Sequence, residues 1–368
     1  TTTAGGMSAV TEVVAIGYLG YLRDISAGES HACAVDRSYK LYCWGLNTDG
    51  QLENGEATGP DACRATSTGC YTRAIVVDST VEFGQVVVGR EQTCALSVVR
   101  AGGRVFCSGP GNRLAAVPGE LSFTILGQGA RPDCAIMSRG EAYCGLSASA
   151  EPVRVAGQTV PYDAISTGGG HTCALDYEGR AYCWGTNTAG ELGNGTTTPS
   201  ATPAPVAADL RFKSISAGEG VGGGGFTCGV VQFTGEAYCW GANSYGQLGN
   251  GTTTPSSVPV KVSGGLEWRF IRAGQAQTCA VSSNRIYCWG VQTRSNTGVT
   301  ASTATPAAVE DVYVGISGTQ QFDAGAGFGC AVAESRDSRA VCWGSNAWGQ
   351  LGNGTTQDSP AGIDVQRR

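Results

Sequence analysis

Ile165-Ser-Thr-Gly168, His171-Thr-Cys173-Ala-Leu175 and Arg180-Ala-Tyr182-Cys183-Trp184-Gly185 together decide the fold. The polar run Tyr177 to Gly179 separates two apolar segments and reads as a hairpin turn, which sets Cys173 opposite Cys183 on adjacent antiparallel strands. Cross-strand neighbours lie within the Cα separations that a disulfide tolerates. Closing a loop of about 11 residues stabilises such a hairpin by roughly 2.5–3 kcal/mol in the chain-entropy picture. Strand alternation puts Leu175 on the cystine face and sends Tyr182 and Trp184 to the other face. A sheet that is apolar on both sides must be sandwiched between neighbours.

The neighbours are further copies of the same unit. Pairs in the same frame, 9 to 13 residues apart, occur at Cys33 and Cys43, Cys94 and Cys107, Cys134 and Cys144, Cys173 and Cys183, Cys228 and Cys239, Cys279 and Cys288, and Cys330 and Cys342. Cys63 and Cys70 form an eighth pair outside the frame. A glycine stands five residues before each first cysteine (Gly28, Gly89, Gly129, Gly168, Gly223, Gly274, Gly325), which implies a shared backbone demand, either positive φ or close approach to a neighbour. Three residues before that glycine comes an apolar side chain: Ile25, Val86, Leu126, Ile165, Ile271 or Phe322, with Ile215 displaced in the fifth copy. These mark a further strand, and segments such as Val258 to Val262 mark a fourth.

A period of roughly 50 residues overrides the domain count that 368 residues would suggest. The reading is all-β: a seven-bladed β-propeller of four-stranded blades, with one intra-blade disulfide per repeat. The expected repeats span 20–84, 85–122, 123–161, 162–210, 211–267, 268–319 and 320–368. Residues 1–19 are left over, yet Val10, Val13, Val14 and Ile16 read as a strand. That strand is expected either to close the ring or to be donated to a neighbouring molecule.

The motifs His171-Thr-Cys173-Ala-Leu175, Tyr182-Cys183-Trp184-Gly185 and Gly246-Gln-Leu-Gly-Asn250-Gly-Thr-Thr-Thr-Pro255 resemble the repeat of the regulator of chromosome condensation family. The resemblance covers about Tyr21 to Val365. It is strongest at Asn187 to Ser200, Asn243 to Ser256 and Asn346 to Pro360. It is weakest in repeats two and three, where Ser108 and Gly145 stand in the tryptophan slot. The family's nuclear members resemble guanine-nucleotide exchange factors, an activity against which the paired cysteines and acidic balance speak. Disulfide-bonded relatives include extracellular receptor propellers and secreted bacterial inhibitors of β-lactamases, and both imply a protein-binding scaffold.

Sixteen paired cysteines suit an oxidising compartment, so the chain is expected to be secreted or displayed at a cell surface. Zinc-ligand pairs sit two to four residues apart, closer than these. Because the sequence opens at Thr1 with no charged and apolar leader, a signal peptide is expected to have been removed. No apolar run reaches the roughly 20 residues of a membrane span. A net charge of −6 supplies no basic field for nucleic acid.

His31 and His171 occupy a slot that elsewhere holds Gln92, Pro132, Phe226, Gln277 or Phe328, so it is a packing position and not a catalytic one. No catalytic group, metal or cofactor is expected. The turn N-x-x-G-[QE]-L recurs at Asn47, Asn187, Asn243 and Asn346 with one varying residue before its glycine: Asp49, Ala189, Tyr245 or Trp348. Large aromatics at a turn tip that also accepts Asp and Ala suggest partner contact, and Asp49, Tyr245 and Trp348 join Trp268 and Phe226 as candidates.

Three insertions, Asn54 to Tyr71, Val221 to Gly225 and Gln292 to Thr305, are expected on one binding face. Asn194, Asn250 and Asn353 begin N-G-T sequons that a eukaryotic secretory pathway would read as glycosylation acceptors. The expected function is a secreted, non-enzymatic, rigid protein-binding scaffold. The alternatives are a subunit of an extracellular filament or coat assembled through the N-terminal strand, an inhibitor of the β-lactamase-inhibitor type, and a glycan-binding lectin.

Overall fold

The computed structural model describes residues 17–63, 66–77, 80–90, 92–98, 102–109, 111–207, 209–295, 298–314, 322–333 and 338–368. Every helix or strand among them is a strand. Blade four shows the unit: Tyr162–Thr167, His171–Asp176, Ala181–Gly185 and Ser200–Pro205 pair antiparallel in chain order. The innermost strands of the other blades are Leu22–Ala27, Phe83–Val88, Phe123–Leu126, Phe212–Gly218, Phe270–Ala273 and Phe322–Ala324. Innermost strands of successive blades touch, and the seventh touches the first, so the sheets form the expected ring of seven.

Each in-frame cysteine pair joins directly opposed residues on the second and third strands, as in Cys173 against Cys183, with Cα atoms 4.0 to 4.1 Å apart. The two faces of the hairpin then part company as alternation requires. Cys173, Leu175 and Cys183 pack towards Phe212 and Trp240 of blade five. Ala174, Tyr182 and Trp184 pack towards Cys134 and Ile136 of blade three. Each blade thus buries one neighbour's aromatic face under its own cystine face, and no blade is buried alone.

The repeated glycine serves close approach. A Cβ at Gly28 would strike the carbonyl of Gly89, and one at Gly274 would strike that of Gly325, whose own Cβ would meet the carbonyl of Gly28. In the fifth repeat this axial position is Gly218, not Gly223: the five-residue insertion displaced the count, and nothing lies within 4 Å of a Cβ at Gly223. Between blades, Ser26, Ser166 and Ser216 accept from the backbone amides of Val88, Ala217 and Ala273, and Asp323 accepts from that of Ala27.

Blades six and seven are also joined at their outer edges, where Gly298–Tyr313 and Ser359–Asp364 meet in parallel at Glu310 and Ala361. Within the segment Gln292 to Thr305, expected as a loop, the described residues lengthen the last two strands of blade six, which pair antiparallel. The surplus strand Val10 to Ile16 lies outside the described residues. Just after it, the Leu19 amide donates to Val365, the Leu19 carbonyl accepts from Ala340, and Tyr18 pairs with Gln366. Leu19 is fully buried between the first and last blades.

Candidate contact face

In an up-and-down four-stranded sheet, the connections from first to second strand and from third to fourth emerge at one edge. Neighbouring blades run the same way, since Gln128 with Ser166 and Glu219 with Gln275 form parallel bridges between blades. The four N-x-x-G-[QE]-L turns and the described residues of all three insertions therefore lie on one face of the ring.

The turn is built around its buried asparagine. Asn243 Oδ1 accepts the amide of Leu248 at 2.9 Å, while its Nδ2 donates to the carbonyls of Thr252 and Thr254. Asn47, Asn187 and Asn346 repeat the pattern with Leu52, Leu192 and Leu351. Gln247, buried like its counterparts Gln51, Glu191 and Gln350, accepts the amide of the variable residue Tyr245. The asparagine, glycine, glutamine or glutamate and leucine of the frame are thus occupied inside. Asp49 is exposed, and Ala189, Tyr245 and Trp348 are partly exposed. Each turn also leans on the outer strand of the next blade: a Cβ on Gly246 would meet Ala304, and one on Gly190 would meet Ser257.

The frame also supplies an acceptor to the next blade. The indole Nε1 of Trp240 donates to the Glu191 carbonyl, that of Trp289 to Gln247, and that of Trp44 to Gln350, at 2.8 to 2.9 Å. Blade six carries two lengthened strands where this turn would be, and the buried Nε1 of Trp343 in blade seven has no partner among the described residues.

Two candidates do not belong to this surface. Phe226 is fully buried in the core of blade five, where its ring would strike a Cβ at Gly218. Trp268 is 2% exposed and packs edge-on to Tyr287 and tilted against Trp289. Both rings fill blade interiors, so neither is available to a partner. The histidines are equally interior: His31 Nε2 lies 3.0 Å from Thr93 Oγ1, and His171 Nε2 lies 2.8 Å from Thr227 Oγ1. Burial pushes His31 down to about 3 and His171 to about 4, so both are neutral at physiological pH. Among the described residues no group of three or more His, Cys, Asp or Glu side chains converges as a metal site.

Asn194, Asn250 and Asn353 are partly exposed, and each Oδ1 accepts from the amide and hydroxyl of the threonine two residues on. Asn54, which is followed by Gly55-Glu56 and is no sequon, makes the same contact to the Glu56 amide. The turn needs this asparagine whether or not a sugar is attached.

The opposite face carries exposed aromatics outside the candidate set. Phe233 is fully exposed with φ of 62°, and Tyr177 is 62% exposed on the adjacent blade. The signal was there, an aromatic inside an otherwise polar turn such as Gln232-Phe-Thr-Gly235. Beside them the channel mouth forms a hollow of about 440 Å³, lined by Gln85, Asp163, Lys213, Gln232 and Arg272 among others. Deeper on the axis, burial raises the carboxyls of Asp24 and Asp323, which flank Arg272.

Two models of the regulator of chromosome condensation repeat match the chain, one at 178–221 and 234–281, the other at 22–51 and 162–191. The matched stretches are regulator of chromosome condensation repeats. It is 31% identical over 243 residues to the E3 ubiquitin-protein ligase HERC2 of Homo sapiens, a match that takes in 66% of this chain and 4% of that protein. The chain thus spans a small part of that relative's length. Among solved structures, yeast RCC1 (Prp20) bound to Kap60 superposes with a TM-score of 0.52 at 17% identity, over 94% of this chain and 74% of that one. The ectodomain of the Arabidopsis thaliana receptor kinase ACR4 gives 0.54 at 15% identity, over 95% of this chain and all of that one. At such identities the likeness is one of fold.

Proposed function

We propose that these repeats form a secreted, non-enzymatic scaffold that binds another protein through the face carrying the asparagine-centred turns. The observation that carries this reading is the split within each turn. The frame is buried and hydrogen-bonded around its asparagine, while the residue it holds outward is free to vary and is Tyr245 in blade five and Trp348 in blade seven. Such rings, half-buried and rigidly based, lose little conformational freedom on contact, as interface anchors should. The three insertions border the same turns, and Cys63–Cys70 pre-orders the longest of them. Yeast RCC1 (Prp20) is itself held by a protein, Kap60. The secreted setting rests on the eight disulfides, which cytosolic thiol buffers would not preserve.

Photo-crosslinking residues placed singly at positions 245, 348, 177 and 233 separate the two faces. The reading expects one and the same protein from native surroundings to be captured at 245 and 348, and Tyr245→Ala with Trp348→Ala to weaken its binding at least tenfold with the melting temperature unchanged. Capture at 177 and 233 alone would move the site to the opposite face and overturn the proposal.

A further inference from the structure

The contact between blades one and two breaks the tryptophan rule in a coupled way. In three turns the residue after the leucine is glycine, Gly193, Gly249 and Gly352, and a Cβ there would lie 2.6 to 2.9 Å from the indole Nε1 of Trp240, Trp289 and Trp44. Blade two has Ser108 in the tryptophan slot, and the turn that faces it has Glu53 in place of glycine. Glu53 keeps the backbone conformation of the glycines, with φ of 58° beside their 65° to 68°. Left-handed backbone is uncommon for a glutamate. Its side chain is 1% exposed, bonds to Ser108 and has Oε2 without a partner among the described residues. The carboxyl has replaced the indole.

A carboxyl fills such a slot comfortably only when it is neutral, because an ionised one leaves a buried charge with an unmet oxygen. Burial raises the group from 4.5 to about 7, and the Ser108 hydrogen bond opposes the rise. The charged groups of the seam include Glu29 of blade one, paired with Arg90 of blade two at 2.7 Å, and Asp24 of blade one, which accepts the Val86 amide of blade two. His31 of blade one, bonded to Thr93 of blade two, is held neutral by its own burial. Glu56 on the same turn receives the Tyr71 hydroxyl, and the Arg113 guanidinium of blade two lies against Gly55.

We propose that Glu53 and Ser108 form a proton-operated catch on the seam between the first and second blades, closed when the carboxyl is protonated and loosened when it ionises. The catch lies under the turn that carries Asp49 and under the base of the insertion that begins at Asn54, so proton release frees one sector of the ring face. This inference stands on blade packing and does not require the binding role.

A raised carboxyl stabilises the closed seam fully below its unfolded value and loses that contribution as pH rises through about 7. Hydrogen exchange by mass spectrometry on peptides covering 47–54 and 92–108, corrected for intrinsic chemistry, should show opening rising about tenfold between pH 6 and 8. Glu53→Gln should abolish that rise while exchange in blade five stays the same. The proposal is overturned if the wild-type seam shows no rise or if Glu53→Gln retains it. A second measurement covers the case of a variant that folds poorly. Ser108→Trp and Glu53→Gly should each lower the melting temperature, while the double variant, which restores the pattern of the other blades, should recover it. Additive losses in the double variant would likewise overturn the proposal.

Discussion

A buried asparagine that accepts one amide and donates to two carbonyls is the residue on which each contact turn rests. Removing it leaves those backbone groups without partners in the interior, which costs more than the bonds themselves contribute. Asn243→Ala should therefore destabilise the protein by about 2–3 kcal/mol in urea unfolding, whereas the exposed Asp49→Ala should stay within about 0.5 kcal/mol. The two histidines give a second prediction at this scale. Both are neutral when folded, at about 3 and about 4, and would titrate near 6.5 when unfolded. The unfolded chain takes up protons first, so their contribution is complete above pH 6.5 and is lost as pH falls through 4 and then 3. His171→Gln, a residue that the same slot accepts as Gln277, should flatten the acid limb of stability against pH and leave the neutral region nearly unchanged.

The blade is legible in the sequence because two short-range rules agree on it. Period-two alternation assigned Leu175 and Trp184 to opposite faces, and hairpin folding placed Cys173 against Cys183, as found. What the sequence did not reveal is relational. Whether an aromatic at an element's edge faces solvent or the next blade depends on packing between repeats, which is why Phe226 and Trp268 read as contacts and proved to be core. The exchange of glycine for Glu53 opposite Ser108 is visible only once the two blades are seen in contact. Replacing Cys173 and Cys183 together by alanine should lower stability by about 3 kcal/mol, as read by denaturant midpoint, because the loop they close is reopened in the unfolded chain.

At the level of the ring, closure lies where Leu19 meets the last blade. Leu19 bonds to Val365 and Ala340, Gln366 accepts from Ala74, and the Arg368 amide donates to Ala74. Each blade is buried by its neighbours, so an unlatched ring should lose stability at both terminal blades first. Deleting residues 365–368 should sharply increase proteolysis within blades one and seven while blade four resists, a difference that limited digestion with mass spectrometry would show. The same circular dependence makes the disulfides the centre of the account: each must lie within its own blade for the sheets to stack as they do. Mapping them on unreduced protein from its native source tests this most directly. The account predicts eight linked pairs, from Cys33–Cys43 and Cys63–Cys70 through Cys330–Cys342, with no thiol that reacts before reduction. Bridges between different repeats, or sixteen free thiols, would contradict it.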